Sequence, residues 1–131
     1  MRIKTKVTRV NNNYKGVERK YLKHLRDKIN ISCNLVRNTI IDGISAGGKG
    51  RMYGDHQASA PFDYPATDTG YLISNIGVFL DTDGLGGNIE SRAEYSENLE
   101  FGTSRVLPRP FMQPSLEENR NRIKNLFREI R

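Results

Sequence analysis

Apolar residues recur at Val17, Tyr21, Leu25, Ile29, Cys33, Val36, Ile40 and Ile44, in steps of three and four. At about 3.6 residues per turn these positions draw one stripe, so the spacing predicts a helix of about seven turns with one face toward a core. The run Asn11, Asn12, Asn13 stands just ahead of it, and an Asn side chain can accept from the free backbone N–H groups at a helix start. Before that run, Ile3, Val7 and Val10 alternate loosely with Arg2, Lys4, Lys6 and Arg9. Residues 1–13 therefore fit either an edge strand or a mobile arm.

Gly43, Gly47, Gly48, Gly50 and Gly54 end the helical pattern, and residues 45–70 add Pro61 and Pro65 among Asp, Ser and Thr. Loops this long in a small domain are either functional or ordered by a partner, which makes 45–70 the first candidate for a contact segment. Leu72, Ile73, Ile76, Val78, Phe79 and Leu80 then predict a strand. A second strand follows over residues 89–95, beyond a turn segment at 81–88 that holds Gly84, Gly86 and Gly87. Residues 95–102, with Tyr95, Leu99 and Phe101, read as a short helical or extended turn closed by Gly102, where a positive φ is cheap.

Leu116, Ile123, Leu126, Phe127 and Ile130 repeat at helical spacing. Pro114 is suited to a first helical turn, and Glu117 and Glu118 near the start and Arg128 and Arg131 near the end suit the helix dipole. The expected fold is α+β, with a long N-terminal helix and a C-terminal helix packed on a small antiparallel β-sheet, and a long loop. One domain is expected over 14–131, with 1–13 as the arm or edge strand and 45–70 as an extended loop.

With 131 residues, 36% of them apolar and 27% charged, the chain can bury only a modest core and is polar for a domain that folds alone. Lys and Arg number 21 against 15 Asp and Glu, a net charge of +6 that suits an acidic partner surface or nucleic acid. Lys15, Arg19, Lys20, Lys23, Arg26, Lys28 and Arg37 make the first half of the long helix strongly basic, as a solvated face or as a contact with phosphate or an acidic protein. Cys33 is the sole cysteine and forms no internal disulfide, and residues 2–8 lack the apolar run of a signal peptide. Synthesis in a reducing cytoplasm is expected, with no membrane span.

The residue types that carry chemistry are sparse. Cys33, His24 and His56 show no paired metal-ligand spacing, so no metal or other cofactor is expected. His56 with Ser59 in a loop is a weak nucleophile and base pair, and Gly48-Lys49-Gly50 lacks the Ser or Thr that completes a phosphate-binding loop. Glu90, Glu94, Glu97 and Glu100 cluster in sequence without substrate-reading neighbours, which favours an acidic contact face over a catalytic pair.

Two stretches do carry a resemblance. The first is Gly50-Arg51-Met52-Tyr53, then His56-Gln57-Ala58-Ser59-Ala60-Pro61, then Pro65-Ala66-Thr67-Asp68-Thr69-Gly70-Tyr71-Leu72, ending in Ser74-Asn75-Ile76. The second is Tyr95-Ser96-Glu97-Asn98-Leu99-Glu100-Phe101-Gly102-Thr103-Ser104, continued by Pro108-Arg109-Pro110-Phe111-Met112-Gln113-Pro114-Ser115-Leu116. In their order and separation they resemble the head-tail joining proteins of long-tailed bacteriophages, of the lambdoid neck or tail-completion type. The resemblance spans residues 15–130. It departs at Ser96 and Ser115, where Ala is usual, at Asn75, where Ser is common, and at Phe62-Asp63-Tyr64, where Gly and a polar residue are frequent.

The resemblance implies a structural virion protein without enzymatic activity, made in the host cytoplasm and built into the neck as a homo-oligomeric ring. Its neighbours would be the portal-side adaptor or stopper, the tail terminator, and a sheath or tail tube, with DNA passing nearby but not read by sequence. A small basic nucleic-acid-binding protein is the alternative. The matched residues Thr69, Gly70, Leu72, Tyr95, Glu100, Phe101, Gly102, Thr103, Arg109, Pro110, Phe111 and Pro114 read as scaffold. Arg109 is expected to pair with Glu100, Phe101 and Phe111 to bury beside the long helix, and Asp68-Thr69-Gly70 to turn Leu72 into the first strand. The expected partner contacts are Lys15, Arg19, Lys20, Lys23, Arg26, Lys49, Arg51, Tyr53 and His56, on the basic helix face and the long loop, together with the N-terminal arm.

Overall fold

The computed structural model describes residues 2–6, 15–46, 50, 52–53, 55–57, 59–66 and 70–128. Its elements are β1 (Arg2–Lys6), α1 (Lys15–Ser45), β2 (Met52–Tyr53), β3 (His56–Gln57), α2 (Tyr71–Ser74), β4 (Ile76–Leu80), β5 (Gly86–Ser91), α3 (Ser96–Phe101) and α4 (Met112–Arg128). Among them β1, β5 and β4 form an antiparallel sheet in that order, and β2 pairs with β3 in a small hairpin inside the long loop. The expected α+β arrangement of a long N-terminal helix, a C-terminal helix and a small antiparallel sheet is the one found.

Helix α1 buries Ile29, Cys33, Val36, Ile40 and Ile44 completely, against Ile76 and Ile89 of the sheet, Phe111 and Met112 at the start of α4, and Leu72 and Ala93. The first part of the predicted stripe does not join this core. Tyr21 is exposed and Leu25 is half-buried, while the Val17 side chain lies outside the described residues. The reason is length: α1 has 31 residues and spans about 46 Å, while α4 has 17 and spans about 26 Å. A polar seam completes the contact between the two helices. Asn119, fully buried, donates to Thr39 Oγ1 at 2.8 Å and to the Ser115 carbonyl at 2.8 Å, while Thr39 donates back to Leu35 C=O. A buried amide with bonded donors costs little, and it holds α4 in register on α1.

Two strand boundaries differ from the sequence expectation. Leu72 does not enter a strand. Gly70, at φ 77°, starts the helical turn α2, whose end is bound when Asn75 Nδ2 donates to the Tyr71 carbonyl. Gly86 and Gly87 are not turn residues but open β5, which ends at Ser91 rather than Tyr95. A Cβ at Gly87 would stand 2.7 Å from Cys33 Sγ, so this glycine is there for the close approach of α1 to the sheet. The turn itself is shorter, closed by Asp83 Oδ1 accepting from Leu85 N–H and by Gly84 at φ 72°.

Candidate partner-binding surfaces

The two resembling stretches lie far apart in sequence and meet around the start of α4. Glu100, 6% exposed, accepts from Phe111 N–H at 2.7 Å and Met112 N–H at 3.0 Å on Oε2, and from Gln113 N–H at 2.9 Å on Oε1. The next residue is Pro114, which has no N–H, so the first turn of α4 keeps no unsatisfied amide. From the long loop, Tyr64 bonds Ser115 Oγ at 2.9 Å. Since Ser115 donates to Phe111 C=O, the Tyr64 hydroxyl is the donor. The Tyr64 ring lies flat on α1 at Gly43, where a Cβ would come within 2.4 Å of it.

This arrangement overturns the expected Arg109–Glu100 ion pair. The Glu100 carboxylate is used by three backbone amides, and Arg109 instead donates from Nε to Ser59 C=O at 3.2 Å and from Nη1 to Leu107 C=O at 3.0 Å. Arg109 still joins the stretches through its bond to Ser59, while its backbone N–H donates to Leu99 C=O within the second stretch, and Phe62 N–H of the long loop reaches Pro108 C=O. Phe111 is in the core as expected, but Phe101 is 71% exposed. On the short helix α3, turning Glu100 inward to serve the α4 amides turns its neighbour Phe101 outward.

The remaining matched residues shape turns. Gly102 takes φ 74°, Thr103 Oγ1 accepts from Arg105 and Val106 N–H, and Pro110 is half-buried beside the core residue Phe111. Tyr95 precedes α3 with its ring 6.0 Å from that of Tyr71, and burial pushes its phenol above the ordinary range, with Tyr71 and Glu94 adding to the effect. The Ser91 and Ser96 hydroxyls bond to each other and tie the end of β5 to α3. Thr69, Lys49 and Arg51 lie outside the described residues. So do the side chains of Lys15, Tyr53 and His56, whose backbones belong to α1, β2 and β3.

Two surfaces remain for contact. The first is apolar: Phe62, Phe101, Val106 and Leu107 are all exposed on segments gathered around Pro108. Phe62 holds φ 66°, a conformation that costs a bulky residue energy. The second is the basic side of α1. Arg19, Lys20 and Lys23 are exposed and pair with no carboxylate among the described residues, and Arg26 points along the same stripe toward the β4–β5 turn, donating to Asp83 C=O at 2.7 Å. Sequence reading found this second surface and missed the first, although Phe62, Val106 and Leu107 in Pro- and Gly-rich segments were a visible signal.

Groups able to do chemistry are few. Cys33 is buried, and burial, with a smaller push from Asp81, raises its thiol above the ordinary value, which suits packing rather than nucleophilic attack. Among the described residues no group of three potential metal ligands converges, and no helix is long and apolar enough to cross a membrane. No protein-family model, no curated protein and no solved structure matches the chain.

Proposed function

We propose that this chain is a structural subunit of the neck of a long-tailed bacteriophage particle, a ring-forming piece that joins the head, at its adaptor or stopper, to the tail, at its terminator. It works by binding its neighbours and breaks no bond. The observation that carries the reading is the contact between the two resembling stretches, where Arg109 Nε of the second donates to the Ser59 carbonyl of the first and the Tyr71 and Tyr95 rings lie 6.0 Å apart. Residues from both stretches touch in the folded chain, which supports reading them together. Glu100 and Ser115 turn their polar groups inward, which leaves the exposed apolar cluster around Pro108 and the basic side of α1 for neighbours.

The test is the mass of the purified protein by light scattering, alone and with phage heads arrested before tail attachment. The expected result is binding to heads in a fixed multiple. Absence of binding to heads and to purified tails would sink the reading. Arg19, Lys20 and Lys23, which pair with no carboxylate among the described residues, support a second reading, a small basic nucleic-acid-binding protein, which predicts tight binding to free DNA that falls steeply with salt.

A further inference from the structure

The sheet ends in two unlike edges, and no other described strand pairs with either. Asp81 N–H donates to Gly86 C=O and Arg92 N–H to Asn75 C=O. Bonded pairs alternate along an antiparallel ladder, so Gly77 and Phe79 address β5 while Ile76, Val78 and Leu80 turn their backbone groups outward. Arg37 Nε takes the Ile76 carbonyl at 3.4 Å, and no described residue takes those of Val78 and Leu80. The strand reads Ile-Gly-Val-Phe-Leu, with no charge and no proline, and Leu80 is 44% exposed. Apart from Arg37 on the Ile76 carbonyl, none of the usual devices that protect an edge from pairing is found among the described residues.

The opposite edge belongs to β1, where the same alternation turns the backbone groups of Arg2, Lys4 and Lys6 outward. β1 and β4 both run antiparallel to β5 and are therefore parallel to each other. We infer that the β1 strand of a second copy of this chain adds in parallel to the outer edge of β4, so that the sheet continues from subunit to subunit. The row Ile3, Ile89, Val78 already crosses the sheet in register. Placing the incoming Ile3 opposite Val78 extends this row and brings the incoming Lys6 opposite Asp81.

Charge agrees with that placement. β1 has three basic residues and no acidic one, whereas β4 runs into the exposed Asp81 and Asp83, with Arg26 held nearby on the Asp83 carbonyl. Arg37 stands at the other end of β4, where the incoming Arg2 falls opposite Gly77, so the charge match is carried by Lys6 and Asp81. Two unlike edges meeting head to tail form a heterologous contact, the kind that closes into a ring. The inference rests on the ring-subunit reading and names the surfaces that form the ring.

Sedimentation of the full chain over a range of concentrations, with Leu80→Pro and Leu80→Lys variants, tests it. Leu80→Pro removes an outward N–H and no ladder bond, and Leu80→Lys keeps the backbone and adds a repelling charge at the edge. Both variants are expected to weaken self-association about tenfold or more. Zero-length carbodiimide coupling of a mixture of isotope-labelled and unlabelled copies is expected to join Lys6 of one to Asp81 of the other. A wild-type chain that stays monomeric to its solubility limit, Leu80→Lys associating as wild type does, or coupling confined within single copies would each overturn the inference. Head binding retained while edge pairing fails keeps the neck reading and removes the edge contact. Edge pairing without binding to heads or tails does the reverse.

Discussion

Glu100 accepts the backbone N–H of Phe111 at 2.7 Å, across eleven residues of chain, and so places a carboxylate from one short helix at the positive end of the next. Met112 and Gln113 share the same acceptor, and Pro114 needs none. Removing the carboxylate leaves three amides without their bond, and those of Phe111 and Met112 are buried. Glu100→Ala is expected to cost about 3 to 5 kcal/mol and Glu100→Gln about 2, since the amide keeps one acceptor oxygen and turns a donor toward the helix end. Urea unfolding of the three proteins checks this. Equal stability of Glu100→Ala and wild type would show that the carboxylate does not hold α4.

The contrast between Glu100 and Phe101 marks what a sequence can and cannot disclose. Helices α1 and α4 were legible because periodicity is a local signal, and the buried set Ile29, Cys33, Val36, Ile40 and Ile44 lies on the predicted stripe. For α3, hydrophobicity alone sends Phe101 inward and Glu100 out, and the fold reverses both because three distant amides need an acceptor. Gly86 and Gly87 misled for a related reason. They look like a turn in isolation and are a strand flattened beneath α1. The basic side of α1 was visible in the charges, but the edges of the sheet depend on which strands pair, and for β1 that is settled by contacts between residues eighty or more positions apart.

Gly87 and Cys33 should behave as one packing unit. A methyl at Gly87 meets Cys33 Sγ at 2.7 Å and Leu80 Cδ2 at 3.1 Å. Gly87→Ala is expected to destabilise the fold by about 1 to 3 kcal/mol, and Cys33→Ala, which empties a small volume, by about 1. Combined, the new methyl occupies space the sulfur has left, so the double variant should be more stable than the sum of the two losses by about 1 kcal/mol or more. A double-mutant cycle of thermal or urea unfolding measures the coupling, and simple additivity would refute the contact.

Tyr64 pins the long loop to both helices, through its ring on Gly43 and its hydroxyl on Ser115. Tyr64→Phe loses only the hydrogen bond and is expected to cost about 1 kcal/mol. Gly43→Ala forces the ring away from α1 and should free the segment around residue 64 while leaving α1 helical. Limited proteolysis reads the difference. Cleavage within residues 50–66 should quicken several-fold in Gly43→Ala and little in Tyr64→Phe. Unchanged cleavage in Gly43→Ala would show that the loop is held elsewhere.

Two of these groups also give stability a dependence on alkaline pH. Burial is the main cause that raises both the Tyr64 phenol above its ordinary 10.0 and the Cys33 thiol above its ordinary 9.0; at Tyr64 the bond to Ser115 opposes the shift, while Glu118 and Glu100 add to it. Each group therefore binds its proton more tightly in the folded chain than in the unfolded one. Their contribution to stability is complete below the unfolded values and is lost as pH rises through the folded ones, so unfolding should become easier from about pH 9 upward. Cys33→Ala starts less stable at neutral pH but should lose the earlier part of this decline, and Tyr64→Phe the later part. Urea midpoints from about pH 7 to about pH 11 test the assignment, and parallel slopes for wild type and both variants would place the alkaline transition on other groups.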